Sequence, residues 1–150
     1  MPQSDRPCEV AQSQPRRLHK RKNIGRRPSP TPQKIVAIIE DDRSILRATS
    51  VLLSAFGFGT EMFESAEAFL KVAASSKAAC LVVDIDLGTM TGIEMAHQLV
   101  ETGSSYPIIF TTGLDSERTR RQAEHAGAVA YLNKPFPAQM LIEAIIKAIG

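Results

Sequence analysis

Three short stretches of the chain are apolar at every position: IVAII at 35–39, CLVV at 80–83 and PIIF at 107–110. A strand with one face in water alternates apolar and polar residues, because successive side chains point to opposite sides. These runs do not alternate, so they read as strands covered on both faces, as the strands of a parallel sheet are. A sheet of that kind needs helices to cover it.

The segments between the runs supply those helices. From Arg43 to Phe56, apolar residues fall at Ile45, Leu46, Val51, Leu52, Leu53 and Phe56 with helical spacing, and Gly57 and Gly59 mark the end. A short second strand is expected near 59–62, and SAEAFLKVAAS (65–75) opens a helix with Ser65 in N-cap position. CLVVD (80–84) is the third strand and GIEMAHQLVET (92–102) a helix. PIIFTT (107–112) is followed by DSERTRRQAEHAG (115–127), a polar helix with Gly127 at its end. AVAYLNK (128–134) is the fifth strand, and PAQMLIEAIIKAIG (137–150) the last helix, with Pro137 suited to its first turn. Strands and helices alternating in this way predict a doubly wound α/β fold with a parallel sheet and right-handed crossovers. In such sheets the functional crevice lies outside the carboxyl ends of the strands.

Composition divides the chain in two. Residues 1–33 carry eight Lys or Arg against Asp5 and Glu9, whereas the remainder carries ten basic against fourteen acidic residues, so the net charge of +2 hides a strong asymmetry. The first part is rich in Pro, Gln, Ser and Arg and has too little apolar surface to offset chain entropy, which predicts a disordered basic tail. RRLHKRKNIGRR could touch nucleic acid, an acidic protein or anionic lipid, although the plainer reading is a solvated extension. The tail has no Phe, Tyr or Trp, so base stacking has nothing to work with. Residues 34–150 form one domain of ordinary size. No apolar run approaches the ~18–20 residues that a membrane span needs, and no apolar segment follows the basic N-terminus as in a secretory signal. The two cysteines, Cys8 and Cys80, form no disulfide framework or zinc spacing, and Cys80 reads as a small buried hydrophobe. A reducing cytoplasm is the expected location.

At the carboxyl edge the strands stop on reactive groups. The first ends at Glu40-Asp41-Asp42, the third at Asp84 with Asp86 two positions on, the fourth at Thr111-Thr112, and the fifth at Lys134 before Pro135. Carboxylates gathered at one point repel one another unless a cation joins them, and an all-oxygen set suits magnesium. An open aspartate beside such an ion could attack phosphorus to give an acyl phosphate. Lys134 could hold a phosphoryl oxygen as a point charge, and Thr112 or Thr111 could donate a hydrogen bond.

Residues 34–150 resemble a response-regulator receiver domain of the CheY-like superfamily. AIIEDDRSIL resembles the family's first strand and acidic pair, which implies Glu40 and Asp41, with Asp42 peripheral. LVVDIDLGTMTGIEM resembles the segment that carries the phosphoacceptor, which implies Asp84, and the family's carbonyl metal ligand falls on the backbone of Asp86. PIIFTTG implies Thr112 as the switch hydroxyl; AVAYLNKPF implies Lys134 as the phosphate-binding lysine, a cis bond to Pro135, and Tyr131 as the aromatic that moves with the switch. The fold implied is a (βα)5 flavodoxin-like sheet in strand order 2-1-3-4-5. Two positions depart from the family pattern. Gly88 stands where proline is usual, which should loosen the loop, and Asp86 adds a carboxylate that would either strengthen metal binding or repel a phosphoryl group.

The resemblance implies a single-domain regulator of a two-component or phosphorelay system. It would accept a phosphoryl group on Asp84, with Mg2+, from a sensor histidine kinase or phosphotransfer protein. It would then switch a protein-interaction surface, acting as a phosphoacceptor rather than a turnover enzyme. The downstream target is unspecified, and a homodimer through the family's signalling face is compatible. VVDIDLGT also resembles the first motif of haloacid-dehalogenase-type phosphatases, with Asp84 as nucleophile and Asp86 as acid-base. There, however, the completing acidic pair follows the lysine, whereas Glu40 and Asp41 precede Asp84 here. Two further alternatives are nucleic-acid binding through the tail under receiver control, and a docking module that works without phosphorylation. His97 and His125 lie on predicted helices and read as surface or partly buried residues, and the Arg120-Arg121 pair reads as a solvated face that could also touch a partner.

Overall fold

The computed structural model describes residues 33–150. The expected disordered tail, all but its last residue, and Cys8 lie outside them.

Ten elements alternate along the described chain: β1 (Ile35–Ile39), α1 (Arg43–Ala55), β2 (Gly59–Phe63), α2 (Ala66–Leu70), β3 (Cys80–Asp84), α3 (Gly92–Glu101), β4 (Ile108–Thr112), α4 (Glu117–His125), β5 (Ala128–Asn133) and α5 (Ala138–Ile149). The five strands form one sheet in the order β2-β1-β3-β4-β5, and every neighbouring pair is parallel. The fold class and strand order are those expected.

The apolar runs explain the layering. Val36, Ile38, Val82 and Ile109 point to one face and pack with Leu46 and Leu53 of α1 and with Leu141, Ile142 and Ile145 of α5. Ala37, Ile39, Leu81, Val83 and Phe110 point to the other and meet Phe69 of α2, Met95 and Leu99 of α3, and Ala123 of α4. Both faces of β1, β3 and β4 are therefore dry, and alternation would have put polar groups into one of the two cores. Phe69 sits at the centre of the second core, edge-on to Phe63 at 5.2 Å and to Tyr106 at 5.6 Å between ring centroids.

Helix starts follow side-chain caps. Asp42, Ser65, Thr91 and Ser116 each accept a backbone N–H of the first turn, and Thr91 forms a reciprocal capping box with Glu94. Pro137 precedes α5 in extended conformation, at the N-cap position rather than inside the first turn. The clearest departure is α2, expected over 65–75 but α-helical only to Leu70. Beyond it the chain tightens into i→i+3 bonds, Val72 N–H to Phe69 O and Ser75 N–H to Val72 O, both 3.0 Å. The Tyr106 hydroxyl donates to the Ala73 carbonyl there, a tertiary partner that local helix propensity does not register. Among the described residues, no helix is long and apolar enough to cross a membrane.

Candidate functional site: a carboxylate cluster at the sheet's carboxyl edge

The strand ends bring the acidic residues together. Glu40 continues β1 by one backbone bond, its N–H donating to Phe63 O at 3.0 Å, and its side chain is buried. Asp42 is spent on the start of α1, where its carboxylate accepts from Ser44 N (2.9 Å) and Ile45 N (3.1 Å). Asp41, between them, stays exposed. Asp84 closes β3 opposite Thr111 of β4 and is only 5% exposed. Oxygens of Glu40, Asp41 and Asp84 all lie within 4.8 Å of one another. Asp42 is thus peripheral, as expected, and the Asp86 carboxylate lies outside this group.

Lys134 completes the cluster. Its backbone N–H donates to Thr112 O at 2.8 Å, which fixes the chain beside β4. Its Nζ lies 2.9 Å from Glu40 Oε1 and 3.5 Å from Asp84 Oδ2. The peptide to Pro135 is cis, as the resemblance implied. Burial alone would lower the Lys134 pKa, but its hydrogen bond to Glu40 and the charges of Asp84 and Glu40 outweigh that and raise it. The Asp84 pKa is raised as well: burial first, then the Glu40 charge, push it up to about 7, against the Asp86 N–H bond and Lys134. One ammonium therefore does not neutralise three carboxylates. The all-oxygen donor set with surplus negative charge fits a hard divalent cation such as magnesium.

Successive residues of β4 face opposite ways, so Thr111 and Thr112 serve different sides of the sheet. Thr112 is fully buried on the side covered by α2, α3 and α4. Its Oγ1 donates to Asp86 Oδ2 at 3.0 Å and accepts the Leu114 N–H at 3.0 Å. Asp86 also donates its own N–H to Asp84 Oδ1 at 3.1 Å, so one residue touches both the candidate acceptor and the candidate switch. The loop beyond it turns at Gly88 with φ +83°, which proline cannot adopt, so the glycine at that position is a conformational requirement of this loop.

Tyr131 does not join the carboxylate cluster. Its hydroxyl donates to Asp115 Oδ1 at 2.9 Å, Asp115 pairs with Arg120 at 3.1 Å, and the Arg120 guanidinium lies 4.6 Å from the centroid of the Tyr131 ring. Asp115 had no signal in the sequence, because its partners come from β5 and α4 and are joined only by the fold. Arg120, read from the sequence as part of a solvated face that could also touch a partner, is exposed and paired with Asp115; Arg121, His97 and His125 are exposed. Cys80 lies fully buried in β3, which pushes its thiol up to about 12 and keeps it inert.

The family described as response regulator receiver domain matches residues 36–146. The chain belongs to that family. A receiver is thus the domain described by residues 33–150, of the kind used in two-component signalling. Response regulator protein TodT of Pseudomonas putida is 36% identical over 115 residues, which cover 77% of this chain and 51% of TodT. Transcriptional regulatory protein FixJ of Rhizobium meliloti is 34% identical over 113 residues, covering 75% of this chain and 55% of FixJ. The chain thus spans about half the length of the curated relatives it matches. Among solved structures, FixJ-N superposes with TM-score 0.74 at 32% identity, covering 79% of this chain and 95% of that one. A CheY-like receiver domain protein from Methanospirillum hungatei JF-1 gives TM-score 0.74 at 27% identity, covering 79% and 94%.

Proposed function

We propose that this receiver takes a phosphoryl group on Asp84 from the phosphohistidine of a sensor kinase or phosphotransfer protein, and that the modification switches a protein-binding surface. The observation that carries this is the placement of Asp84: a buried carboxylate at a strand end, 3.5 Å from the Lys134 ammonium and clustered with Glu40 and Asp41. In the transfer, an Asp84 oxygen attacks phosphorus, the phosphorus–nitrogen bond of the donor breaks, and the electron pair returns to the imidazole nitrogen. Glu40, Asp41, Asp84 and the Asp86 main-chain carbonyl would hold a magnesium ion, which when bound supplies the positive charge that keeps Asp84 ionised and offsets charge on the phosphoryl oxygens.

The chain's own groups do the rest by position. Lys134 is fixed beside the nucleophile by Glu40 and presents a point charge to a phosphoryl oxygen. The Asp86 N–H orients Asp84 by binding Oδ1 and leaves Oδ2 on the lysine side. Thr112 offers its hydroxyl to the phosphoryl group once the acyl phosphate exists, and Tyr131 moves with it. Two conformers of the domain already in equilibrium are then redistributed. The protein acts in the cytoplasm as an acceptor modified once per signal, not as a turnover enzyme. Incubation with a small phosphodonor and Mg2+ should add one phosphoryl group to the intact mass of the wild type and none to Asp84→Ala. Equal addition to both proteins would reject the assignment.

A further inference from the structure

The hydrogen bond between Thr112 and Asp86 joins two side chains, and the Asp86 carboxylate lies outside the carboxylate cluster. We infer that Asp86 is a positioning residue that restrains the switch: its carboxylate holds the Thr112 hydroxyl proton in the unmodified protein and must release it before that hydroxyl can serve a phosphoryl group on Asp84. The inference rests on the proposal that Asp84 is the acceptor.

Proton counting supports the competition. A threonine hydroxyl has one proton to donate. Here that proton goes to Asp86 Oδ2 at 3.0 Å, while the lone pairs receive the Leu114 N–H. The same proton cannot also bind a phosphoryl oxygen on Asp84. Because Thr112 is fully buried, its hydroxyl must have a partner in either state, so losing Asp86 without a replacement is costly. Asp86 is exposed, and water takes the place of the hydroxyl when the bond opens. The restraint is therefore releasable from one side only when a new acceptor arrives on the other.

The position of Asp86 makes that arrival self-reinforcing. Its backbone N–H binds the Asp84 carboxylate, so a phosphoryl group added there places more negative charge beside the Asp86 side chain. Modification both offers Thr112 a better acceptor and disfavours the old one. By reciprocity, whatever favours the Asp86–Thr112 bond disfavours the modified state by the same factor.

The experiment measures acyl-phosphate occupancy at a fixed concentration of a small phosphodonor with Mg2+, in wild type, Asp86→Ala, Asp86→Asn, Thr112→Ala and the Asp86→Ala/Thr112→Ala pair. Asp86→Ala should raise the ratio of modified to unmodified protein about three- to tenfold. Asp86→Asn, which keeps an acceptor oxygen without the charge, should gain less. In the Thr112→Ala background, removing Asp86 should change the ratio less than about twofold, because the bond is already gone. NMR supplies a readout that a general effect on folding would not move. The Thr112 hydroxyl proton should be protected from solvent exchange in the unmodified wild type and lose that protection in Asp86→Ala. Equal gains from Asp86→Ala with and without Thr112, or equal gains from alanine and asparagine, would overturn the restraint in favour of plain charge repulsion. A hydroxyl proton indifferent to Asp86 would overturn it as well. Absence of any adduct on the wild type is the distinct outcome that removes the acceptor assignment, and the inference with it.

Discussion

Asp84 is held where an ordinary carboxylate would lose its charge. Burial and the neighbouring Glu40 raise its pKa from 3.8 to about 7, so the metal-free folded protein binds a proton that the unfolded chain releases. Between pH 4 and pH 7 the folded state is the more protonated, so its stability falls as pH rises through that window and levels off above it. In the presence of chelator, urea midpoints should therefore decline from pH 5 to pH 8. Asp84→Asn should remove most of that slope and stabilise the metal-free protein at pH 8 by about 1–3 kcal/mol. A slope unchanged in Asp84→Asn would show that another group titrates. The side chain of Asp86 was the residue least readable in advance. Its type and place were plain, and two effects on metal or phosphate were open. Its partner, Thr112 Oγ1, lies 26 positions away, and only a rotamer joins them.

The elements are set by short signals that the fold then trims. The carboxyl end of β3 and the start of α3 meet at Gly92, whose N–H donates to Ile85 O at 2.9 Å. A Cβ at this glycine would lie 2.7 Å from Asp84 O and 2.7 Å from Val83 Cγ1. Helix propensity alone predicts that Gly92→Ala stabilises by about 0.5–1 kcal/mol. The approach to backbone predicts the opposite, a loss of about 1–3 kcal/mol with displacement of the Asp84 main chain. Urea denaturation decides the sign, and a gain would show that β3 and α3 separate easily. The strands were legible because β1, β3 and β4 are dry on both faces and so apolar at every position. The length of α2 was not. AEAFLKVAAS favours helix throughout, but the turn after Leu70 is fixed by tertiary contacts such as the Tyr106 hydroxyl on Ala73. Likewise the Tyr131–Asp115–Arg120 cluster joins β5 to the start of α4, and no local pattern announces it.

Across the whole molecule, the parallel order β2-β1-β3-β4-β5 puts every strand's carboxyl end on one edge. That topology turns residues as distant as Glu40 and Lys134 into a pair at 2.9 Å. Most of the candidate site was therefore readable once the elements were ordered, since its members are the residues on which strands stop. What the order of strands does not convey is how the environments of the two nearby aspartates, Asp84 and Asp86, differ. Their surroundings differ: Asp84 is buried against Lys134, Glu40 and Asp41, whereas the Asp86 carboxylate is exposed and occupied by Thr112. The most direct test is chemical. Protein treated with a small phosphodonor and Mg2+ is reduced with borohydride, which converts an aspartyl phosphate to homoserine, and its peptides are sequenced by mass spectrometry. Homoserine at position 84 alone is the expected result; homoserine at position 86 or 41, or none in a protein that gained the phosphoryl mass, would contradict the account.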